Sequence, residues 1–160
     1  MCSSDLGAGR LAANPNPAYA RDATVIRIVQ ANIDQKDKWR PENLNLVFSA
    51  YEELTKRSAT RRPDVVIWPE GALPAVIDDL VAEGSPFAPR LRDALSPGQT
   101  LLMGANRAEP DGRGGYRYFN TLVAFRREAQ ALRVVGYYDK FRLVPFGEFM
   151  PLGDLARTLG

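Results

Sequence analysis

The chain of 160 residues contains no histidine and only one cysteine. The first absence removes the commonest metal ligand and the usual general base together, so zinc hydrolases and Ser-His-Asp hydrolases are excluded. The second forbids any disulfide within the chain. An excess of one charge is also missing: 21 Lys and Arg face 19 Asp and Glu. With no basic stripe, nucleic-acid binding is not expected. The pairs Arg61-Arg62 and Arg126-Arg127 are too short to track phosphates and read as solvated turns. No apolar run approaches the ~20 residues of a membrane-spanning helix, and the chain as it stands is expected to be soluble.

What is present is ordinary globular composition, 45% hydrophobic and 25% charged, in the size range of one domain. The lone Cys2 belongs to a tail, residues 1–22, that is rich in small residues, Asn and Pro and shows no apolar period. Met1-Cys2-Ser3-Ser4 lacks the charged and apolar regions of a lipoprotein signal, and Met1–Leu6 reads as foreign to the natural sequence. Residues 23–160 form the domain. No repeat or low-complexity linker interrupts it.

Along that domain β and α signals alternate. Thr24 to Ala31 is rich in β-branched residues and reads as a strand. After Pro41, residues Leu44, Val47, Phe48, Tyr51 and Leu54 recur at helical spacing, and Lys56 and Arg57 suit the last turn. Asp64 to Trp68 is a short apolar strand stopped by Pro69, which leaves Glu70 just past the end of the strand. Pro89 to Leu95 reads as a second helix and Thr100 to Ala105 as a buried strand. Tyr118 to Phe125 and Leu132 to Tyr138 read as an antiparallel hairpin turning through Arg126 to Ala131. The loop Asp111 to Gly115 is a turn, since it lacks the following helix and Lys-Ser/Thr of a phosphate cradle. This alternation suits either two packed sheets or a doubly wound sheet.

Two ionisable residues stand at strand ends. Glu70 follows the apolar run Val66-Ile67-Trp68 and the rigid Pro69, which would hold its carboxylate at a partly desolvated cleft wall. Lys140 lies in Tyr137-Tyr138-Asp139-Lys140-Phe141, where aromatic neighbours would limit hydration of the ammonium. Burial would raise the carboxylate pKa and lower that of the lysine, while their mutual attraction works the other way. Such a pair can move protons and stabilise charge.

At these residues, from about Thr24 to Leu152, the chain resembles the nitrilase, or carbon–nitrogen hydrolase, superfamily. The segment Leu143-Val144-Pro145-Phe146-Gly147-Glu148 followed by Pro151 is similar to the signature of its apolipoprotein N-acyltransferase branch. The resemblance implies an α/β fold, an α-β-β-α sandwich of two face-packed sheets with outer helices, here incomplete at its C-terminal side. It implies a Glu–Lys–Cys triad, with Glu70 of Trp68-Pro69-Glu70 as general base and Lys140 of the Tyr138-x-Lys140 segment as stabiliser of the tetrahedral intermediate. Glu148 matches a second glutamate supporting the active site, and Trp39 matches a tryptophan of the substrate cleft. For Tyr118-Phe119-Asn120-Thr121, similar to the strand before the hairpin, a structural role is expected.

The implied reaction moves a fatty acyl chain from a phospholipid donor, through a cysteine thioester, to the amine of a lipoprotein's terminal diacylglyceryl-cysteine. No metal or organic cofactor is implied. The family's cysteine lies beyond the Pro-Phe-Gly-Glu segment, after a further strand, so this chain is expected to be inactive alone. Arg142 stands where many members carry histidine. Membrane association is expected through segments absent here, with the parent protein in the bacterial inner membrane and the catalytic domain on the periplasmic side. Two other readings are a fragment of a soluble amidase using the same triad on a small amide, and a non-catalytic binding domain that kept the fold.

Overall fold

A computed structural model of the chain describes residues 9–10, 12–13 and 20–142. Cys2 and the segment from Leu143 through Glu148 to Pro151 lie outside the described residues. Among the described residues a five-stranded sheet runs in the order β1 (Ile26–Ile28), β2 (Val65–Trp68), β3 (Thr100–Pro110), β4 (Tyr116–Arg127), β5 (Leu132–Asp139). The first three strands are parallel, and β3, β4 and β5 are antiparallel neighbours. Between β1 and β2 lie α1 (Gln35–Lys38), a 3-10 turn (Pro41–Asn43) and α2 (Leu44–Lys56); between β2 and β3 lie α3 (Ile77–Val81) and α4 (Phe87–Ala94).

Period-2 alternation sorts the sheet into two unlike faces. Val66, Trp68, Leu101, Met103, Val123 and Phe125 are buried and join Phe48 and Tyr51 of α2 and Leu91 of α4 in one core. Trp68 is its centre. Its ring packs edge-on against Phe48 at 5.7 Å and tilted against Tyr51 at 4.9 Å, and its indole N–H donates to Thr55 Oγ1 at 2.9 Å. Arg90 of α4 closes the layer from outside. It donates to Glu52 Oε2 at 3.0 and 2.6 Å and to Asn45 and Ser49, with its guanidinium 4.6 Å above the Phe48 ring. Burial pushes the Glu52 carboxyl up, but bonds from Lys56 and Arg90 outweigh it and hold the group below its usual range.

The opposite face is formed by Ile28, Ile67, Leu102 and Ala124 in one row and Gly104, Leu122 and Tyr138 in the next. It is apolar yet open: Ile28 is 71% exposed and Tyr138 64%. An apolar face of this kind is what face-to-face sheet packing requires. The chain is therefore mixed α/β and compatible with an incomplete nitrilase-like fold, although only one sheet of the expected sandwich lies among the described residues. The antiparallel β3–β4–β5 half, with the helices' buried side chains gathered on one face, does not fit a doubly wound sheet.

The amphipathic α2, β2 and the β4–β5 hairpin lie where the apolar patterns place them. β1 is shorter than Thr24 to Ala31 because its partner β2 is confined between Pro63 and Pro69, which cannot donate to a ladder. α4 begins at Phe87, ahead of Pro89. Ser85 Oγ accepts the Phe87 N–H at 3.3 Å, and Pro89 falls in the first turn, where an N–H has no helical partner. The Asp111–Gly115 turn joins β3 to β4, with Asp111 Oδ1 accepting from the backbone of Arg113 and Gly115 at 2.7 and 2.9 Å. Arg126 and Arg127 lie in β4 rather than in a turn, and Arg127 donates to the carbonyl of Glu128.

Replacing Thr55 by Val should leave the Trp68 indole N–H unpaired in the core and lower stability by about 1–3 kcal/mol. An unchanged denaturant midpoint, followed by tryptophan fluorescence, would show that the bond contributes nothing. For Glu52, whose folded pKa is depressed, the stability it adds is complete above its unfolded pKa of about 4.3 and is lost as pH falls through the lower folded value. The gap in denaturant midpoint between the wild type and Glu52→Gln should therefore be widest near neutral pH and close on acidification. A gap independent of pH would mean that the Glu52 charge is not what links α2 to α4.

Candidate active site

Trp68 faces the helices, so the chain leaving β2 is directed by an anchored side chain. Pro69 ends the ladder, and a tight turn follows in which Ala72 N–H donates to the Pro69 carbonyl at 3.1 Å. Gly71 occupies the left-handed region at φ +62°, which a side chain would disfavour. This turn carries Glu70 sideways across β3. It crosses directly over Gly104, where an added Cβ would stand 2.6 Å from Glu70 Cα and 2.8 Å from both Glu70 N and the Pro69 carbonyl oxygen. Gly104 is thus a condition of the site, because only a residue without a side chain lets the Glu70 backbone lie flat on the sheet.

From the other side, Lys140 leaves the end of β5. Its backbone N–H donates to the Asn120 carbonyl at 2.8 Å, one rung beyond the last pair of the β4–β5 ladder. Its ammonium lies 3.2 Å from Glu70 Oε1, and the Asn120 side-chain amide donates to the same oxygen at 2.5 Å. Residues 70 positions apart are so brought into one cluster, on the open face of the sheet. Oε2 of Glu70 has no hydrogen-bond partner among the described residues. A shallow cleft of about 200 Å³ opens at this point, lined by Glu70, Gly104, Asn120, Leu122, Tyr138 and Lys140.

The two charged groups are not equally desolvated. The Lys140 side chain is 32% exposed, as its aromatic neighbour Tyr138 suggests, whereas that of Glu70 is 60% exposed. The expected desolvation of the carboxylate is not met among the described residues, since the open face offers it a floor but no wall above. Trp39 is exposed and lies beside the turn. Its Cζ2 and the Lys38 ammonium stand 4.0 and 3.9 Å from the point where a Cβ on Gly71 would be. Burial lowers the Lys38 pKa. Glu148 lies outside the described residues.

The functional place of Asn120 was not legible in the pattern, which suggested only a structural role for Tyr118 to Thr121. Cross-strand pairing reveals it: Asn120 shares a face with Leu122 and stands opposite Asn106, two rungs from Gly104. Asn120 lies between Asn106 on β3 and Lys140 just past β5, where the β4–β5 ladder ends and the open face turns from apolar to polar.

No family model matches the chain. It is similar to curated proteins named apolipoprotein N-acyltransferase. The one from Caulobacter vibrioides is 44% identical over 146 residues, 90% of this chain and 27% of that protein. The one from Rhizobium meliloti is 36% identical over 153 residues, 92% of this chain and 27% of that protein. The one from Brucella suis is 36% identical over 159 residues, 96% of this chain and 28% of that protein. The chain therefore spans about a quarter of the length of the curated relatives it matches.

Gly104→Ala should push the Pro69–Glu70 backbone off β3, lowering stability by about 1–3 kcal/mol and lengthening the Asn120–Glu70 hydrogen bond. Gly136→Ala, on the same face with nothing within 4 Å of its added methyl, is the control and should change little. Equal melting temperatures for the two variants would show that the crossing over Gly104 is not tight.

Proposed function

We propose that residues 23–160 are part of the catalytic domain of an apolipoprotein N-acyltransferase, with Glu70 and Lys140 as two members of a Glu–Lys–Cys triad. The observation that supports this most is the convergence of Lys140 and Asn120 on one carboxylate oxygen of Glu70. The relatives named above supply the reaction class. Cys2 precedes β1 and is the chain's only cysteine, so in this reading the thiol comes from the parent protein beyond the Pro145-Phe146-Gly147-Glu148 segment.

The first half-reaction makes the enzyme thioester. Glu70 Oε2 takes the proton of the cysteine thiol, and the thiolate attacks an ester carbonyl carbon of a phospholipid. The Lys140 ammonium, 3.2 Å from Glu70, donates to the oxyanion that forms. Collapse breaks the C–O ester bond, and the lysophospholipid oxygen leaves with the proton held on Glu70. In the second half-reaction the amine of a diacylglyceryl-cysteine attacks the thioester carbonyl and gives its proton to Glu70. The C–S bond breaks, the thiolate recovers the proton, and an amide is left on the lipoprotein.

Asn120 holds the carboxylate in line by occupying Oε1, which leaves Oε2 for the proton. Trp39, beside the Gly71 turn, forms a side of the acyl or lipoprotein cleft, and Glu148 supports the site. Membrane attachment and a periplasmic active site belong to this proposal through the parent protein. No helix among the described residues is long and apolar enough to cross a membrane.

In the full-length protein, Glu70→Gln and Lys140→Ala should each abolish the acyl-thioester formed from a phospholipid carrying a labelled fatty acyl chain, seen as loss of label on the protein by mass spectrometry. Wild-type labelling in either variant would remove that residue from the mechanism. Hydrolysis of small amides without any transfer to a diacylglyceryl peptide would sink the acyltransferase reading and leave the triad.

A further inference from the structure

The face of the sheet opposite Glu70 carries a second polar cluster that the proposed reaction does not use. Arg107 of β3 donates from Nε and Nη2 to the two oxygens of Asp139 at 3.3 and 2.7 Å, and from Nη1 to Glu109. Its guanidinium lies 4.6 Å from the Phe119 ring centroid and 4.8 Å from that of Tyr137, and only 12% of its side chain is exposed. Thr121 Oγ1 donates to Asp139 Oδ1. Asp139 is held below the usual carboxylate range by Arg107 first, with Thr121 adding to the effect against burial. A forked, two-point ion pair stacked on aromatic rings fixes geometry in a way that a single-point contact does not.

The position of this cluster matters more than its strength. Thr121 and Asp139 form the last paired rung of β4 and β5, and the next residues along, Asn120 and Lys140, are joined by the 2.8 Å backbone bond. Successive side chains point to opposite faces. Asp139 and Thr121 are therefore gripped on the helix face, while Lys140 and Asn120 meet Glu70 on the open face. Immediately beyond, Phe141 is exposed.

We propose that Arg107, through Asp139 and Thr121, is a positioning residue that sets the Lys140 ammonium against Glu70 from the far side of the sheet. The clamp fixes the backbone at residue 139, from which the lysine side chain reaches the carboxylate at 3.2 Å. Its consequence for activity rests on the catalytic reading of Lys140, but its geometric effect does not.

The test uses the full-length protein and the conservative variant Arg107→Lys, which keeps the charge and loses the fork. Competitive labelling with trace acetic anhydride, read lysine by lysine by mass spectrometry, reports how tightly each ammonium is engaged. Lys140 should become about threefold more reactive relative to Lys36 and Lys56, because a lysine in place of Arg107 cannot hold both Asp139 oxygens. Thioester formation per folded molecule should fall by about tenfold with the phospholipid KM little changed, as expected for a misplaced catalytic group. Thr121→Val, which removes only one hydroxyl from the cluster, should shift both readings the same way by less, and it serves if Arg107→Lys does not fold. Unchanged Lys140 reactivity against the two reference lysines overturns the proposal, whatever happens to the rate. Raised reactivity with an unchanged rate supports the clamp and instead removes Lys140 from the reaction.

Discussion

The burial of Trp68 is the constraint from which the arrangement of the site follows. A strand places alternate side chains on alternate faces, so once the largest side chain of β2 is fixed under α2, by Phe48, Tyr51 and the hydroxyl of Thr55, the register of the strand is fixed with it. A slip of one residue would put the indole on the open face and Ile67 in the core. Pro69 then ends the ladder, and Glu70 is delivered two residues beyond a point that cannot move. The aromatic core and the carboxylate are thus parts of one device, although no atom of Trp68 touches the cleft.

The site is assembled by opposition of the sheet's two faces. Three strands contribute to the open one: β3 a glycine that allows close passage, β4 the Asn120 amide, and β5 the Lys140 that follows it. The same three strands contribute Arg107, Thr121 and Asp139 to the other. Because neighbouring residues of a strand face opposite ways, Asn120 and Lys140 in the cleft are each one peptide bond from Thr121 and Asp139 in the clamp. The polar end of the sheet is therefore held from both sides, while its middle stays apolar on both.

Much of this was legible in the sequence where one force decided the outcome. The helical spacing of Leu44, Val47, Phe48, Tyr51 and Leu54 and the apolar run before Pro69 made α2 and β2 plain, and the resemblance at Glu70 and Lys140 pointed to residues that do meet. α1 and α3 were not legible, since helices of four and five residues hold too few periods to register and depend on local bonds such as Asp34 accepting the Lys36 N–H. The degree of hydration was also hidden. A short apolar segment says that a strand is buried, but not whether the residue after it has anything above it, and among the described residues Glu70 has only a floor. The roles of Gly104 and Asn120 depend on pairing across strands, which spacing along one strand does not contain.

The separation of Glu70 from Lys140 has a consequence for the order in which the chain acquires its parts. Synthesis runs from the N-terminus, and domains fold from the portions already made. β1, α2 and β2 are made well before the ribosome reaches residue 140, so the carboxylate is set out before the ammonium arrives. Contacts of such long range are slow to close. The open position of Glu70 makes that interval harmless, because a carboxylate that water can reach has no unpaired charge to bury while it waits.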